Sequence, residues 1–159
     1  MGIKYGPLPD ADAAAFINAT TGLTTTEKSA IKTLVEDLKD NNIWDKMQVI
    51  YPFVGGTIHD HKFNLVDPQD TDAAFRLTFH GGITHSSTGV LPNGIDGYAK
   101  TYFFPDTNFV DNNNTSAFYY SRTDSAVNSC DIGAFGIGKF APLSYGDNFS
   151  VISYHGGER

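Results

Sequence analysis

The hydrophobic pattern changes period near residue 46, and that change limits the fold more than any other feature of the chain. Before it, Ala30, Ile31, Leu34, Val35 and Leu38 fall on one helical stripe, with Glu36, Asp37 and Lys39 away from it. From Met47 onward, apolar residues alternate with polar ones or run in short blocks between Gly, Pro, Asn and Asp clusters, the pattern of strands and turns. The reading is a helical lead-in over residues 1–45, then a β region over 46–159, within one domain.

The helical part has recognisable ends. Asp10 is placed to cap a short helix through Phe16 and Ile17, and Gly22 to stop it in a left-handed C′ position. Thr24 with Glu27 three residues on makes a capping box for a second helix, which Asn41-Asn42 ends. The expected strands are "MQVIYPFV" with Pro52 at an edge or bulge, "AAFRLTFH" with Ala73, Phe75, Leu77 and Phe79 facing inward, "GYAKTYFF", "SAFYYSR", "IGAFGIG" and "NFSVISY". With 12 Phe and 8 Tyr favouring packed sheets, the predicted class is mainly β, an antiparallel β-sandwich or jelly roll behind a short helical segment.

Charge and cysteine usage remove several functions. A formal net charge of −7 and the lack of any Lys/Arg cluster argue against nucleic acid or an anionic membrane as partner. Cys130 is the one cysteine, so neither an internal disulfide nor a thiolate metal site is expected. No basic flank with an apolar run opens the chain, no apolar stretch reaches the ~18 residues of a membrane span, and Gly6 stands where myristoylation needs Ser or Thr. No membrane insertion is expected.

Several motifs suggest chemistry and meet a plainer explanation. "GAFGIGKF" has the glycine and lysine spacing of a phosphate loop, but Phe140 replaces the magnesium-binding hydroxyl and Ala141-Pro142 cannot open the required helix. In "HDH", His59 and His61 would share one side of an extended segment and reach one metal ion, with the third ligand unspecified. Asp67, Asp70 and Asp72 offer oxygen ligands of the kind calcium prefers, as do Asp106, Asp111 and Asn112 to Asn114, although acidic turns commonly form for their own backbone bonding. No cofactor is expected beyond calcium at these acidic turns. The sequons at Asn18, Asn113, Asn114 and Asn148 matter only in a eukaryotic secretory pathway.

Hydrolysis finds weaker support. Ser86 and Ser87 beside His85 have the residue types of a nucleophile and base, but neighbours in one loop seldom reach triad geometry, and no Gly-x-Ser-x-Gly elbow occurs. Glu27, Glu36 and Glu158 are the only glutamates, so the paired carboxylates of a sandwich-type glycosidase are missing. Aromatics beside amides and carboxylates suit carbohydrate better: His85, Asn93, Asp96, Tyr98, Asn113 and Tyr119 are the candidate ligand contacts. Against this, Phe118, Tyr119 and Tyr120 also read as an ordinary packed strand.

The segments "AIKTLVEDLKDNNIWDKM", "VIYPFVGGT", "HKFNLVDPQDTDAAFRLTFHGGITHSSTGVLPNGIDGYAKTYFFP" and "FYYSRTDS" resemble a domain of tailed-bacteriophage structural proteins, often tail or fibre polypeptides. The resemblance runs from about Ala13 to Ser125 and fades after Cys130. It implies a concanavalin-A-like or laminin-G-like β-sandwich in a non-enzymatic virion component, in contact with other virion proteins and reaching host-surface glycan. It supplies no catalytic residues to carry over. Members of the family continue for several more strands where this chain stops at "SYHGGER", which implies an abbreviated sandwich or one completed by a neighbouring subunit, and hence a homo-oligomer, with a trimer favoured. The expected role is a virion structural protein of tail, fibre or head appendage; a lectin-like module, with or without calcium, is the alternative, and a hydrolase the third.

Overall fold

A computed structural model describes residues 10–108, 114–120, 135–136, 139–140 and 149–155. The chain divides into two compact units, Met1–Tyr102 and Phe103–Arg159.

In the first unit, helix α1 (Ala11–Ala19) starts where the sequence predicts. The Asp10 carboxylate accepts from the backbone N–H of Asp12 at 3.0 Å and of Ala13 at 3.3 Å. The helix ends at Thr20, which is extended and whose hydroxyl donates to the Phe16 carbonyl at 3.0 Å. Gly22 is therefore no left-handed stop; it is small for another reason, given below. Helix α2 (Thr25–Asp40) carries the full capping box, Glu27 N–H to Thr24 Oγ1 at 3.2 Å and Thr24 N–H to Glu27 Oε2 at 2.8 Å, an arrangement worth about 1 kcal/mol. Lys39 from its last turn pairs with Asp10 and Asp12 at the start of α1, tying the two helices end to end.

Ile31 and Val35 on α2 meet Ala13 and Phe16 of α1, and Leu23, Trp44, Phe63 and Leu65 complete a buried cluster. Leu34 and Ala30, placed on the same stripe by the sequence, are exposed. The helices thus supply half of this core, and the segment after them wraps it in turns: a 3-10 turn at Trp44–Lys46, the single-turn helix α3 (Ile58–His61) and a second 3-10 turn at Asp72–Ala74. Asn64, 1% exposed, pins these turns together. Its Oδ1 accepts from Ile50 and Val66 N–H, and its Nδ2 donates to the Gln48 and Ala74 carbonyls, so every hydrogen-bonding position of the buried amide is engaged.

The strands of the first unit are short. β1 (Thr78–His80) pairs antiparallel with β4 (Tyr98–Lys100), and between them β2 (Ile83–Ser86) and β3 (Gly89–Pro92) form a hairpin with His85 opposite Val90. In the second unit a single-turn helix, α4 (Pro105–Asn108), precedes β5 (Asn114–Tyr120), which pairs with β8 (Phe149–His155), while β6 (Phe135–Gly136) pairs with β7 (Lys139–Phe140). Of "GAFGIGKF", the described residues 135–136 and 139–140 pair in a small β ladder, with Phe135 opposite Phe140 and Gly136 opposite Lys139.

These ladders correct the predicted fold class. Among the described residues each sheet has two strands and none joins another, so the chain is not the mainly β, jelly-roll or concanavalin-A-like sandwich that period and resemblance led us to expect. The cause is local. Phe53, Phe75 and Tyr102 have φ of 49°, 58° and 56°, a left-handed conformation that an extended ladder cannot continue through and that costs a non-glycine residue about 1–3 kcal/mol. Each interrupts one expected strand: "MQVIYPFV", "AAFRLTFH" and "GYAKTYFF". In the second of these the inward set is not Ala73, Phe75, Leu77 and Phe79; Ala74 and Leu77 are the buried pair, as a 3-10 turn followed by a bend dictates. Residues 116–120 of "SAFYYSR" and 149–154 of "NFSVISY" do form strands, paired with each other; the remaining residues of the two segments lie outside the described ones. Among the described residues no helix is long and apolar enough to cross a membrane.

Candidate functional site

Among the described residues, chemistry-bearing side chains gather in two places, both within the unit Met1–Tyr102. The first is α3. Thr57 closes this turn from both ends, its Oγ1 accepting from Asp60 N–H at 3.1 Å and its hydroxyl donating to Asp60 Oδ2 at 2.6 Å. The turn aims Asp60, 1% exposed, into the protein, where Oδ1 accepts from the N–H of Thr21 at 2.7 Å and of Gly22 at 3.2 Å. A Cβ on Gly22 would stand 2.5 Å from Asp60 Oδ2, which is why glycine is needed there. Burial alone would raise the Asp60 pKa, but the Thr57 hydroxyl and the two backbone N–H groups hold it below the ordinary value. Glu27, held below its own ordinary value by the N–H groups of Gly55 and Thr24, fastens the loop from the other side through Gly55 N–H at 3.0 Å.

His61, also 1% exposed, faces the opposite way. Its Nε2 accepts from Gly56 N–H at 3.2 Å, and its Nδ1 lies 3.0 Å from His85 Nδ1 on β2. An Nε2 that accepts leaves the ring proton on Nδ1, so neutral His61 donates to His85, whose own proton then sits on Nε2. Phe53 stands edge-on to His61 and Phe79 edge-on to His85, with ring centres 5.9 and 4.6 Å apart. Burial lowers the pKa of both rings, and the His85 ring lowers that of His61 further, against the opposing pull of Asp60 and Glu27.

The second gathering is the turn after β3. Asn93 Oδ1 accepts from the N–H groups of Ile95, Asp96 and Gly97 at 3.0, 3.1 and 3.1 Å, and Nδ2 donates to Asp96 Oδ1 at 2.7 Å. Asp96 Oδ1 also accepts from Gly82 N–H at 3.1 Å, locking the turn onto the chain between β1 and β2. The turn presents Ile95, 89% exposed, beside Leu91 and Tyr98 at 56% and 50%, and the Tyr98 ring lies flat on His80 with centres 4.8 Å apart.

The candidate ligand residues divide accordingly. Asn93, Asp96 and Tyr98 share the turn, His85 belongs with His61, Tyr119 is half-buried in β5, and Asn113 lies outside the described residues, as do Asp111, Asn112 and Cys130. The candidate metal ligands are dispersed. His59 and His61 lie on a helical turn, where positions two apart face different ways, and not on the extended segment expected; His59 Nε2 meets the Ala19 carbonyl at 3.2 Å. Asp67 accepts from Gln69, Asp70 pairs with Lys62 and Arg76, and Asp72 pairs with Arg76. Among the described residues no group of three or more His, Cys, Asp or Glu is disposed to hold a metal ion. Ser86 Oγ turns to Thr88 Oγ1 and the Gly89 carbonyl. An open depression of about 390 Å³ beside α3 includes Ile58, His59, Lys62 and Arg76 in its wall, but both of its full cations already carry carboxylates.

Asp60 and Asn64 were not singled out from sequence. Thr57-x-x-Asp60 after two glycines is a helix-start signal that points to α3, whereas nothing around Asn64 announces a buried bracket. Comparison with protein-family models, with curated proteins and with solved structures finds no match to this chain.

Proposed function

We propose that this chain is a structural component of a tailed-phage particle, belonging to a tail, fibre or head appendage, that acts through protein contacts as a homo-oligomer and does no chemistry. The resemblance of residues 61–105 to phage structural polypeptides motivates the role, without the sandwich that accompanied it. The observation that carries it is the use made of polar side chains in that run. Asn64 is saturated by backbone partners, and Asn93 accepts from three backbone N–H groups and donates to the Asp96 carboxylate, which fixes a turn that holds Leu91, Ile95 and Tyr98 out to solvent. Pre-ordered apolar side chains suit association, because little conformational freedom is lost when a partner covers them. Light scattering should give an oligomeric mass, a trimer by expectation, and Ile95→Asp should reduce it to the monomer. A monomer at all concentrations, unaffected by Ile95→Asp, would sink the reading.

The glycan-binding alternative has one observation in its favour: Tyr98, half-exposed and stacked on His80, offers an aromatic face of the kind sugar rings cover. The amide of Asn93 is already committed within the turn, which weakens it. A thermal shift on adding a sugar panel, with and without calcium, and its loss in Tyr98→Ala, is the expected signature of this alternative.

A further inference from the structure

The contact between His61 and His85 joins two parts of the first unit that are far apart in sequence: the loop and turn at Gly55 to His61, and the β2–β3 hairpin. The backbones meet there too, since a Cβ on Gly56 would stand 3.0 Å from Ser87 N. The hydrogen-bond pattern around the two rings has room for one proton on each. A second proton on His61 would sit on Nε2 and face the N–H of Gly56; a second on His85 would sit on Nδ1 and face the N–H of His61. Either one puts two donors nose to nose inside a half-buried aromatic box made with Phe53 and Phe79.

We propose that the His61–His85 pair is an acid-operated clasp, which fastens the β2–β3 hairpin to the α3 loop while both rings are neutral and lets go when either takes up a proton. This is independent of the role proposed above.

The charged groups around the pair do not rescue the protonated form. Asp60 and Glu27 are the carboxylates near enough to favour it, but their oxygens already accept from Thr21, Gly22 and Thr57 and from Gly55 and Thr24 respectively, and neither hydrogen-bonds an imidazole. His59 faces the Ala19 carbonyl, Lys62 pairs with Asp70, and Val90 opposite His85 carries no charge. The sign follows from linkage. Both rings titrate below the ordinary 6.5 in the fastened state and return to it when released, so the clasp is at full strength above that value. Below it, release is favoured by up to about tenfold per pH unit for each ring, until the lowered values of the fastened state are reached.

Long-range nitrogen NMR of the intact protein at pH 8 should find His61 as the Nδ1–H tautomer and His85 as the Nε2–H tautomer. Between pH 7 and 5, the protection of the Gly56 amide, corrected for the intrinsic pH dependence of exchange, should fall approaching tenfold per unit. The double variant His61→Gln with His85→Phe should lose that dependence, whereas His59→Gln and His80→Phe should keep it. His61 found with its proton on Nε2, Gly56 protection unchanged from pH 8 to 5, or a dependence that follows His59 or His80, would each overturn the proposal. The first two are read on the unaltered chain and stand even if the double variant does not fold.

Discussion

Asp60 and Asp70 are the same residue type in one stretch of chain, each with several partners, yet they belong to different physical regimes. Asp60 is buried, and its Oδ1 accepts from the backbone N–H donors of Thr21 and Gly22 in part-buried bonds. Asp70, with its side chain 49% exposed, binds Lys62 and Arg76, whose charged ends remain hydrated whether or not the pair forms. Removing a partner from the first site strands part-buried polar groups; removing one from the second leaves ions in water. What makes a polar residue matter here is the fate of its partner once it is gone, more than the number of its bonds.

Four substitutions and one titration test that difference. Trp44 is the one tryptophan and sits in the core of the first unit, so urea unfolding followed by its fluorescence reports directly. Asp60→Ala should have the largest effect, about 3–5 kcal/mol, from two backbone donors left without an acceptor together with the loss of the Thr57 bond. Asn64→Ala should follow at about 2–4 kcal/mol, since Ile50 and Val66 N–H lose their acceptor. Gly22→Ala keeps every polar group but drives a methyl against Asp60 and the Gly55 carbonyl, and about 1–3 kcal/mol is expected. Arg76→Ala should leave the urea midpoint within error; a loss as large as that of Asn64→Ala would erase the contrast. On acidification, Asp60 and Glu27 have folded values below the ordinary 3.8 and 4.5, so their contribution is present above those values and disappears as pH falls through the lower ones. Asp60→Ala should flatten the melting temperature against pH in that acid range.

Local chemistry was legible in the sequence and long-range geometry was not. Asp10, Thr24 and Glu27 announced the two helices because a cap and its recipient lie within three residues. The β5 and β8 segments carried enough aromatic and β-branched residues to be read as strands. The sandwich was misjudged because Phe53, Phe75 and Tyr102 are strand-forming types held in left-handed conformations, for which no residue preference gives warning. At the candidate site, His85 was noticed beside Ser86, but its partner is His61, and Asp60 was passed over although Thr57 marks its turn. Gly22 was seen as a helix stop, when its small size serves a carboxylate brought in from α3.

The Asn93 turn also has a chemical lifetime. An asparagine followed by glycine is the pair in which the next backbone nitrogen most easily reaches the side-chain carbonyl and expels ammonia, and Asn93 precedes Gly94. Here the amide nitrogen donates to Asp96 Oδ1 at 2.7 Å, so its conversion to a carboxylate would replace that donor with a second negative charge and turn an attraction into a repulsion. Gly82 N–H shares the Asp96 oxygen and would be loosened with it. Aged protein should accordingly show the altered Asn93 peptide by mass spectrometry together with faster exchange at Gly82, making this turn the place where the molecule records its age.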